Sequence, residues 1–333
     1  MNLLFSCIGK RGYIADFFRP HLSKGDRIVG TSNTKWTPGF EHCDQNYLLP
    51  DINDPDYIPK VLDICKQEEI TAILSFFDPD VVELAKNYES FEKIGVIPII
   101  PRYEIADICF DKYKTFEFLK TNQISTPITY IDYLSAIEGL DSGVISFPLY
   151  VKPRHGFGSA LTFRARNITE LEAFFNYAPD MIIQEEVVGD AIDFDVLNDL
   201  QGKAISVVPW RKYRSRMGET EQAQTFYDEK IVNFGFQLGS LLGHRGPLDA
   251  DLFLKDGEII VLEINLRFGG GYPVSHLAGA NFPLRILQMI RGELTSDCKP
   301  QFTPNVIMMK DNLVLGGSEP VFFKDKYINR RNE

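Results

Sequence analysis

The first hundred residues alternate short apolar runs with stretches of helical spacing, and this alternation restricts the chain to few folds. After Asp54-Pro55, apolar residues recur at helical spacing, at Ile58, Val61, Leu62 and Cys65. This spacing predicts a helix with proline in its first turn. Alternating strands and helices predict a parallel, doubly wound α/β sheet. The apolar runs that we interpret as its strands lie at 3–8, 27–31, 72–77 and 96–100.

The obvious ligand for such a sheet, a dinucleotide, does not suit this sequence. Gly9 and Gly12 do not form G-x-G-x-x-G, and residues 31–33 offer no acid for a ribose hydroxyl. Asp78 follows the third run at the edge where open α/β sheets bind ligands, and Arg11 lies at the same edge. The alternative is that Asp78 or Asp80 only caps the next helix.

Composition narrows the class of protein further. The chain has 333 residues, 44% of them hydrophobic, and a net charge of −11, which argues against a general nucleic-acid binder. The first residues lack a basic leader, and no apolar run is long enough for a membrane span. The five cysteines are scattered without a C-x-x-C pair. We therefore expect reduced thiols, a cytoplasmic protein and no membrane partner.

A second constraint is the polar end of an apolar strand near residue 260. The strand enters through the turn Lys255-Asp256-Gly257-Glu258 and ends in Glu263-Ile264-Asn265-Leu266-Arg267, followed by three glycines. Glu263 and Asn265 offer oxygen ligands for Mg²⁺, and Asp251 on the preceding strand is expected to face Glu263. Arg267 suits a phosphoryl oxygen. The alternative is a solvated edge strand. The three glycines favour the ligand site over this alternative, because glycine lets the backbone approach a ligand closely.

Anion-binding features also occur in the middle of the chain. Lys152 ends an apolar run and precedes a small-residue loop, 154–160, which is typical of phosphate contact but also of an ordinary hairpin. The basic run 210–216 favours anion handling over a solvated face. Thr169-Glu170-Leu171-Glu172 predicts a capping box at the start of a helix. The run 181–190 predicts a strand that breaks at Gly189. The backbone of this strand would meet an adenine, and its acidic side chains would meet a ribose.

Taken in order, these pieces resemble the ATP-grasp superfamily, and within it the single-unit proteins similar to the large subunit of carbamoyl phosphate synthase. The resemblance runs from the first strand to about residue 295. The residues that carry it are Asp111-Lys112, Val151-Lys152-Pro153, Gly156 and Gly158, Gln184-Glu185-Glu186, Asp251, and the block 263–271.

The resemblance implies four parts: an N-terminal Rossmann-like pre-ATP-grasp domain (1–105), a small lid (106–182), a C-terminal subdomain (183–295) and an extension (296–333). It implies ATP and Mg²⁺, or Mn²⁺, as cofactors, with Arg267 and Lys152 in catalytic roles. The implied metal ligands are Asp251, Glu263 and Asn265. The implied nucleotide ligands are Lys112, Lys152, Gly156, Phe157, Gly158, Ser159, Gln184, Glu185, Glu186, Val187, Val188, Asp190 and Asp193.

Three positions depart from the family pattern. Leu266 replaces the usual proline, and Asp251 stands where glutamine or glutamate is frequent. Asp190-Ala191 replaces the glutamate that commonly binds ribose, so either Asp190 or Asp193 takes over that role or the affinity for the nucleotide is reduced.

The resemblance implies a ligase that activates a small carboxylate as an acyl phosphate for attack by an amine. The alternatives are a phosphotransferase with a hydroxyl acceptor and a nucleotide-binding module without turnover. The expected partners are small-molecule substrates and a second copy of the chain in a homodimer.

Overall fold

The computed structural model describes residues 1–156, 161–216, 219–294 and 302–311. Within these residues the strands form three sheets, one parallel and two antiparallel. The predicted fold class, α/β with α+β character in the lid and C-terminal part, is confirmed. No helix in the described segments is long and apolar enough to cross a membrane.

The N-terminal sheet is parallel throughout and has the strand order β3-β2-β1-β4-β5. Strand β3 was not predicted, because Gln45-Asn46-Tyr47-Leu48 has no apolar run. Helix α2 begins at Tyr57 rather than at Pro55, since Asp54 and Asp56 are held in a turn before it. The elements are β1 Asn2–Ser6, α1 Gly12–Phe18, β2 Arg27–Ser32, β3 Gln45–Leu48, α2 Tyr57–Gln67, β4 Ile70–Ser75, α3 Asp78–Lys86, α4 Tyr88–Lys93 and β5 Ile97–Pro98.

The four-stranded sheet has the order β6-β9-β7-β8 and is antiparallel. Its helix α8 is capped by Asn167, whose side chain accepts from the backbone N–H of Glu170, so the capping box predicted at Thr169 is wrong by two residues. The elements are α5 Tyr103–Phe110, α6 Lys112–Thr121, β6 Thr129–Tyr130, α7 Tyr133–Asp141, β7 Leu149–Pro153, β8 Phe163–Ala165, α8 Ile168–Phe175 and β9 Met181–Glu185.

The six-stranded antiparallel sheet has the order β14-β13-β10-β11-β12-β15. Strands β13 and β14 are joined by the predicted tight turn, in which Asp256 and Gly257 both have positive φ, 50° and 78°. This combination matches the right-handed twist of a two-residue hairpin. The elements are β10 Asp190–Asn198, β11 Ala204–Arg216, β12 Glu219–Thr225, α9 Glu229–Leu242, β13 Gly246–Lys255, β14 Glu258–Asn265, α10 Tyr272–Leu277, α11 Phe282–Arg291 and β15 Ile307–Met309.

Alternation along the strands separates an apolar face from a polar face in the six-stranded sheet. Phe194 and Ala250 point into a buried core that also contains Leu4 of the parallel sheet and Leu119 of α6. The residues between them therefore lie on the opposite face. That face carries Asp193, Asp195, Asp249, Asp251, Glu263 and Asn265 on three adjacent strands.

A second core covers the other side of the parallel sheet. Leu3 and Phe5 pack there with Phe18 of α1, and with Phe268 and Phe282 from the C-terminal part of the chain. Because β1 is buried on both faces, it has the continuous apolar pattern of a parallel-sheet strand. Strand β9 belongs to the four-stranded sheet, so the boundary predicted at residue 182 falls inside a strand. We propose to place that boundary after Glu185 and to keep the other domain limits.

Candidate active site

The predicted carboxylate pair forms across the β13–β14 hairpin. Asp251 and Glu263 are opposite each other in register, and Asn265 is opposite Asp249. The Nδ2 atom of Asn265 lies 3.4 Å from Oδ2 of Asp249. This contact orients the amide so that its carbonyl oxygen is available as a ligand.

Two predicted lysines lie beside this pair although they come from distant elements. The Nζ of Lys112 is 3.5 Å from Oε1 of Glu263 and donates to the Gly156 carbonyl at 2.8 Å. Lys112 is positioned by Asp111, which caps α6 through the N–H groups of Tyr113 and Lys114. Arg154 in turn pairs with Asp111 at 2.6 Å.

Lys152 is only 9% exposed, at the buried end of β7. Burial lowers the pKa of Lys152 to about 8, while Glu263 raises it and the nearby charge of Lys112 lowers it. The two ammonium groups and the Asp251–Glu263 pair thus act on one another.

A third ammonium group, which the sequence did not single out, lies on the same polar face. The Nζ of Lys212 is 2.6 Å from Asp251 and 2.8 Å from Asp193. Although burial opposes its charge, these two carboxylates raise the pKa of Lys212 above its ordinary value. Lys212 therefore occupies one oxygen of a predicted metal ligand.

The side chains of the basic run 210–216 lie in different environments, and its role in anion handling stays a prediction. Trp210 is 1% exposed and donates to Asp195, and Arg211 lies over the Phe226 ring. Arg214 pairs with Glu221. The run is part of β11, whose alternation places Lys212 on the polar face with Trp210.

Arg267 lies just past the end of β14, with a side chain that is 10% exposed. It contacts Asp78 of the N-terminal sheet through Nε and Nη2, both at 3.1 Å, and lies 3.7 Å from Asp249. Although burial opposes its charge, Asp78 and Asp249 raise the pKa of Arg267 above its ordinary value. Asp78 is thus the first residue of α3, after the N-cap residue Phe77, and its carboxylate pairs with Arg267.

Asp80 also does not cap the helix. It is fully buried and accepts from the hydroxyl groups of Tyr57 and Ser75. Asp249 is buried as well, and within the described residues its Oδ1 has no hydrogen-bond partner. Burial and the neighbouring Asp251 raise the pKa of Asp249 to about 6.

The three glycines after Phe268 are required by packing inside the protein. A Cβ on Gly269 would lie 2.5 Å from Oδ1 of Asp249, and one on Gly271 would lie 2.2 Å from the Trp210 ring. A Cβ on Gly270 would lie 2.9 Å from Glu219. These three positions therefore lie in close contact with neighbouring side chains, and the expectation that they allow a ligand to approach stays a prediction.

The end of β9 and the segment that follows it join the two antiparallel sheets. Gln184 is buried and donates to Thr129, and Glu185 accepts from the N–H of Ile128. Glu186 pairs with Arg164 through two hydrogen bonds of 2.6 and 2.9 Å. Val187 and Val188 lie outside the strands, and Val188 is 73% exposed.

The two acids considered for a ribose lie in different environments. Asp193 is 3% exposed and pairs with Lys212 on the polar face of the sheet. Asp190 is exposed at the start of β10. The predicted loop residues Phe157, Gly158 and Ser159 lie outside the described residues, whereas Gly156 lies within them beside Lys112.

A large cavity opens at the carboxyl edge of the parallel sheet. Its volume is about 940 Å³, and its wall includes Arg11, Asp78, Glu219 and Arg267. In the order β3-β2-β1-β4-β5, the crevice between the loops after β1 and β4 is where doubly wound sheets bind ligands. The cavity lies at this crevice.

Comparison with known families agrees with this geometry. Residues 3–100 match the PylC-like N-terminal domain and residues 109–271 match the ATP-grasp domain. Fold and site together define a protein with an N-terminal α/β domain followed by an ATP-grasp unit. Residues 109–271 thus form an ATP-grasp domain, and the resemblance stated from the sequence is confirmed.

Relatives of similar sequence include a carbamoyl-phosphate synthase from Methanobrevibacter smithii. It is 23% identical over 309 residues, which cover 89% of this chain and 82% of the relative. A carbamoyl phosphate synthase large chain from a Thermoanaerobacter species is 22% identical over 74% of this chain. The match covers only 24% of that longer protein.

Solved structures share the fold over most of the chain. The biotin carboxylase domain of Hydrogenobacter thermophilus 2-oxoglutarate carboxylase, in complex with MgADP and bicarbonate, has a TM-score of 0.73 and 16% identity. That match covers 92% of this chain and 73% of the other. An L-amino acid ligase from Bacillus licheniformis has a TM-score of 0.68 and 21% identity, with 90% and 77% covered.

Proposed function

We propose that this protein is an ATP- and Mg²⁺-dependent ligase that activates a small carboxylate as an acyl phosphate for attack by an amine. The observation that carries the proposal is the approach of Lys112 and the buried Lys152 to the Asp251–Glu263 pair, with Arg267 near the end of the same strand. Ligation is also the reaction class named in matched relatives, among them a D-alanine–D-alanine ligase from Francisella tularensis that is 26% identical over 226 residues.

The residues fit a divalent cation with oxygen ligands. Asp251 and Glu263 face each other, and the amide nitrogen of Asn265 lies against Asp249, so that the amide oxygen can serve as a ligand. Within the described residues no group of three or more His, Cys, Asp or Glu side chains is arranged to hold a metal, so the proposed set depends on Asn265. Bound there, Mg²⁺ would neutralise phosphate oxygens; Mn²⁺ would suit the same ligands.

The chain's own residues position and neutralise the anions. We assign Lys112 and Lys152 to the ATP phosphates, and Gly156 to Ser159 to the loop that covers them. Glu185 to Val188 would meet the adenine and Asp190 the ribose. Arg267, already held by Asp78 and Asp249, would offset charge on the transferred phosphoryl group.

The proposed reaction has two steps. A carboxylate oxygen attacks the γ-phosphorus, and the bond to the β-phosphate oxygen breaks to release ADP. An amine then attacks the acyl carbon, inorganic phosphate leaves, and the amine loses a proton. Because the site binds both reactants, it lowers the barrier mainly through orientation.

The test is ADP release across paired small acids and amines, followed by mass spectrometry of the products. Lys152→Met and Glu263→Gln should each lower turnover by about 100-fold or more, whereas Lys66→Met and Glu104→Gln, which change exposed helix residues, should not. Circular dichroism checks that all four variants are folded. Near-normal turnover in both site variants would show that the site is misassigned.

The same products distinguish the alternatives. A stable phosphorylated product would indicate a phosphotransferase, and MgATP binding without ADP formation would indicate a binding module. We also propose a cytoplasmic location, which the free thiols of Cys7, Cys43, Cys65 and Cys109 support. A homodimer remains our proposal for the assembly.

A further inference from the structure

The cavity at the carboxyl edge of the parallel sheet has no assigned occupant. It is bounded by the loops that follow β1, β2, β3 and β4. Its volume of about 940 Å³ lies toward the upper end of small-molecule pockets, which span roughly 300–1,000 Å³. The space is therefore sufficient for a metabolite larger than a phosphate or bicarbonate ion.

The inner end of the cavity adjoins the candidate active site. Asp78 lines the large cavity and also a small cavity of about 20 Å³ whose wall contains Gly156, Glu263 and Asn265. Arg267 lines the large cavity beside Asp78. A ligand in the large cavity can thus present a reacting group to Arg267.

The charges at this inner end are satisfied by one another. Arg11 donates to Glu219 at 2.9 and 3.1 Å, and Arg267 pairs with Asp78. These four side chains leave no net charge for a ligand to neutralise. Recognition of a charged ligand therefore depends on the remaining ionic groups of the wall.

Two such groups remain, and they have opposite signs. Lys10 is exposed, and within the described part of the chain its ammonium has no hydrogen bond or ion pair. The carboxylate of Asp51 accepts only from the neutral amide of Asn33, at 2.7 Å, among the described residues. The wall also includes the side chain of Ile52 and the indole of Trp36, which is 66% exposed.

We propose that this cavity binds one of the two co-substrates, and that this co-substrate is a zwitterion of the α-amino acid class. Its anionic group would lie against Lys10, its ammonium group against Asp51, and its apolar part against the wall near Trp36. A ligand with only one charge would leave either Lys10 or Asp51 unpaired, which weakens binding. The inference deepens the proposed ligase function and relies on it only for the fate of the bound molecule.

The indole of Trp36 provides a direct measurement. The chain has two tryptophans, and Trp210 is buried, so a change of emission on adding a ligand reports on Trp36. The twenty common amino acids, and the D-enantiomers of the chiral ones, are titrated against the full-length protein without nucleotide. The titration is repeated with a non-hydrolysable ATP analogue and Mg²⁺. We expect at least one to shift the emission, and the Trp36→Phe variant to show no shift.

The responding amino acid is then compared with its amide, which lacks the negative charge, and with its deaminated acid, which lacks the positive charge. Each should bind about tenfold or more weakly. Lys10→Met should weaken binding of the amino acid but not of the amide. Asp51→Asn should weaken binding of the amino acid but not of the deaminated acid. Lys24→Met and Asp63→Asn change exposed residues outside the cavity and should leave binding unchanged.

No emission shift with any amino acid in either arm would overturn the proposal, as would equal binding of the deaminated acid. The outcome is separate from that of the ligase proposal, because the arm without nucleotide requires neither ATP nor turnover. Amino acid binding without ADP formation would preserve this cavity's assignment and remove the ligase. ADP formation with acids and amines that leave the Trp36 emission unchanged would support the ligase and remove this cavity's assignment.

Discussion

At the scale of single residues, the candidate site depends on how burial and neighbouring charges set the state of each ionisable group. Lys152 illustrates this, since its ammonium is nearly enclosed at the end of β7 and lies near both Glu263 and Lys112. Desolvation disfavours the charged form of a lysine. A group that would hold a phosphate therefore changes its charge within an accessible pH range.

This pKa predicts a pH dependence for ATP use. The pKa of Lys152 is lowered from its ordinary value to about 8. The amine is therefore positively charged below pH 8, and this charge is lost as the pH rises through that value. We expect kcat/KM for ATP to be level below about pH 7.5 and to fall about tenfold per pH unit above 8, because kcat/KM reports ionisations of the free enzyme.

Lys152→Arg keeps its charge over the whole range and should remove the alkaline decline, even if its rate is lower. The same decline in this variant would assign the ionisation to another group.

At the scale of elements, the four strands β11, β10, β13 and β14 carry one continuous polar face. Lys212, Asp193, Asp251 and Glu263 follow one another across these strands. Burial raises the pKa of Asp193 well above its ordinary value, the charge of Asp251 raises it further, and Lys212 opposes both. The ammonium of Lys212 thus holds two carboxylates together on adjacent strands.

Removal of this ammonium should destabilise the sheet. Lys212→Met leaves a buried carboxylate without its partner, and breaking a buried pair costs about 3 kcal/mol or more. Urea unfolding at neutral pH measures the loss, and Asp193→Asn in the same chain should restore part of it.

Arg214→Met serves as the control, since Arg214 lies two residues along β11 with a side chain that is 63% exposed. It should cost less than about 1 kcal/mol. Equal stability of the Lys212 and Arg214 variants would contradict an important structural role for the Lys212 contacts.

At the scale of the whole molecule, buried ion pairs connect the N-terminal sheet to the six-stranded sheet. Glu219 of β12 accepts from Arg11 and lies 3.2 Å from Lys310, next to β15. Arg11 also donates to the carbonyl groups of Phe76 and Phe268. Although burial favours the protonated form, Arg11 and Lys310 hold the pKa of Glu219 below its ordinary value.

Glu219→Gln should therefore loosen the contact between the two sheets. Two cations would lose their shared carboxylate, and we expect a loss of roughly 2–3 kcal/mol in the free energy of unfolding. Hydrogen exchange should accelerate in the loop after β1 and near Phe268. Glu221→Gln on the same strand removes only the pair with the exposed Arg214 and should change exchange little; similar exchange in both variants would refute the connection.

The sequence by itself determined the local features of this protein. Alternation of apolar runs predicted the parallel sheet, the Asp256-Gly257 turn predicted the β13–β14 hairpin, and that hairpin placed Asp251 opposite Glu263. These features depend on neighbours within about twenty residues, so their patterns are visible in a short window. The ATP-grasp resemblance also rests on such windows, taken in order.

Only the tertiary structure decided which distant groups meet. The pairing of Lys212 with Asp251, of Arg267 with Asp78, and of Gly271 with Trp210 joins elements 39 to 189 residues apart. No short-range pattern encodes these contacts, because strand register and sheet packing fix them. For that reason the ion pair of Asp193 with Lys212 and the close packing around the three glycines became visible only in the folded chain.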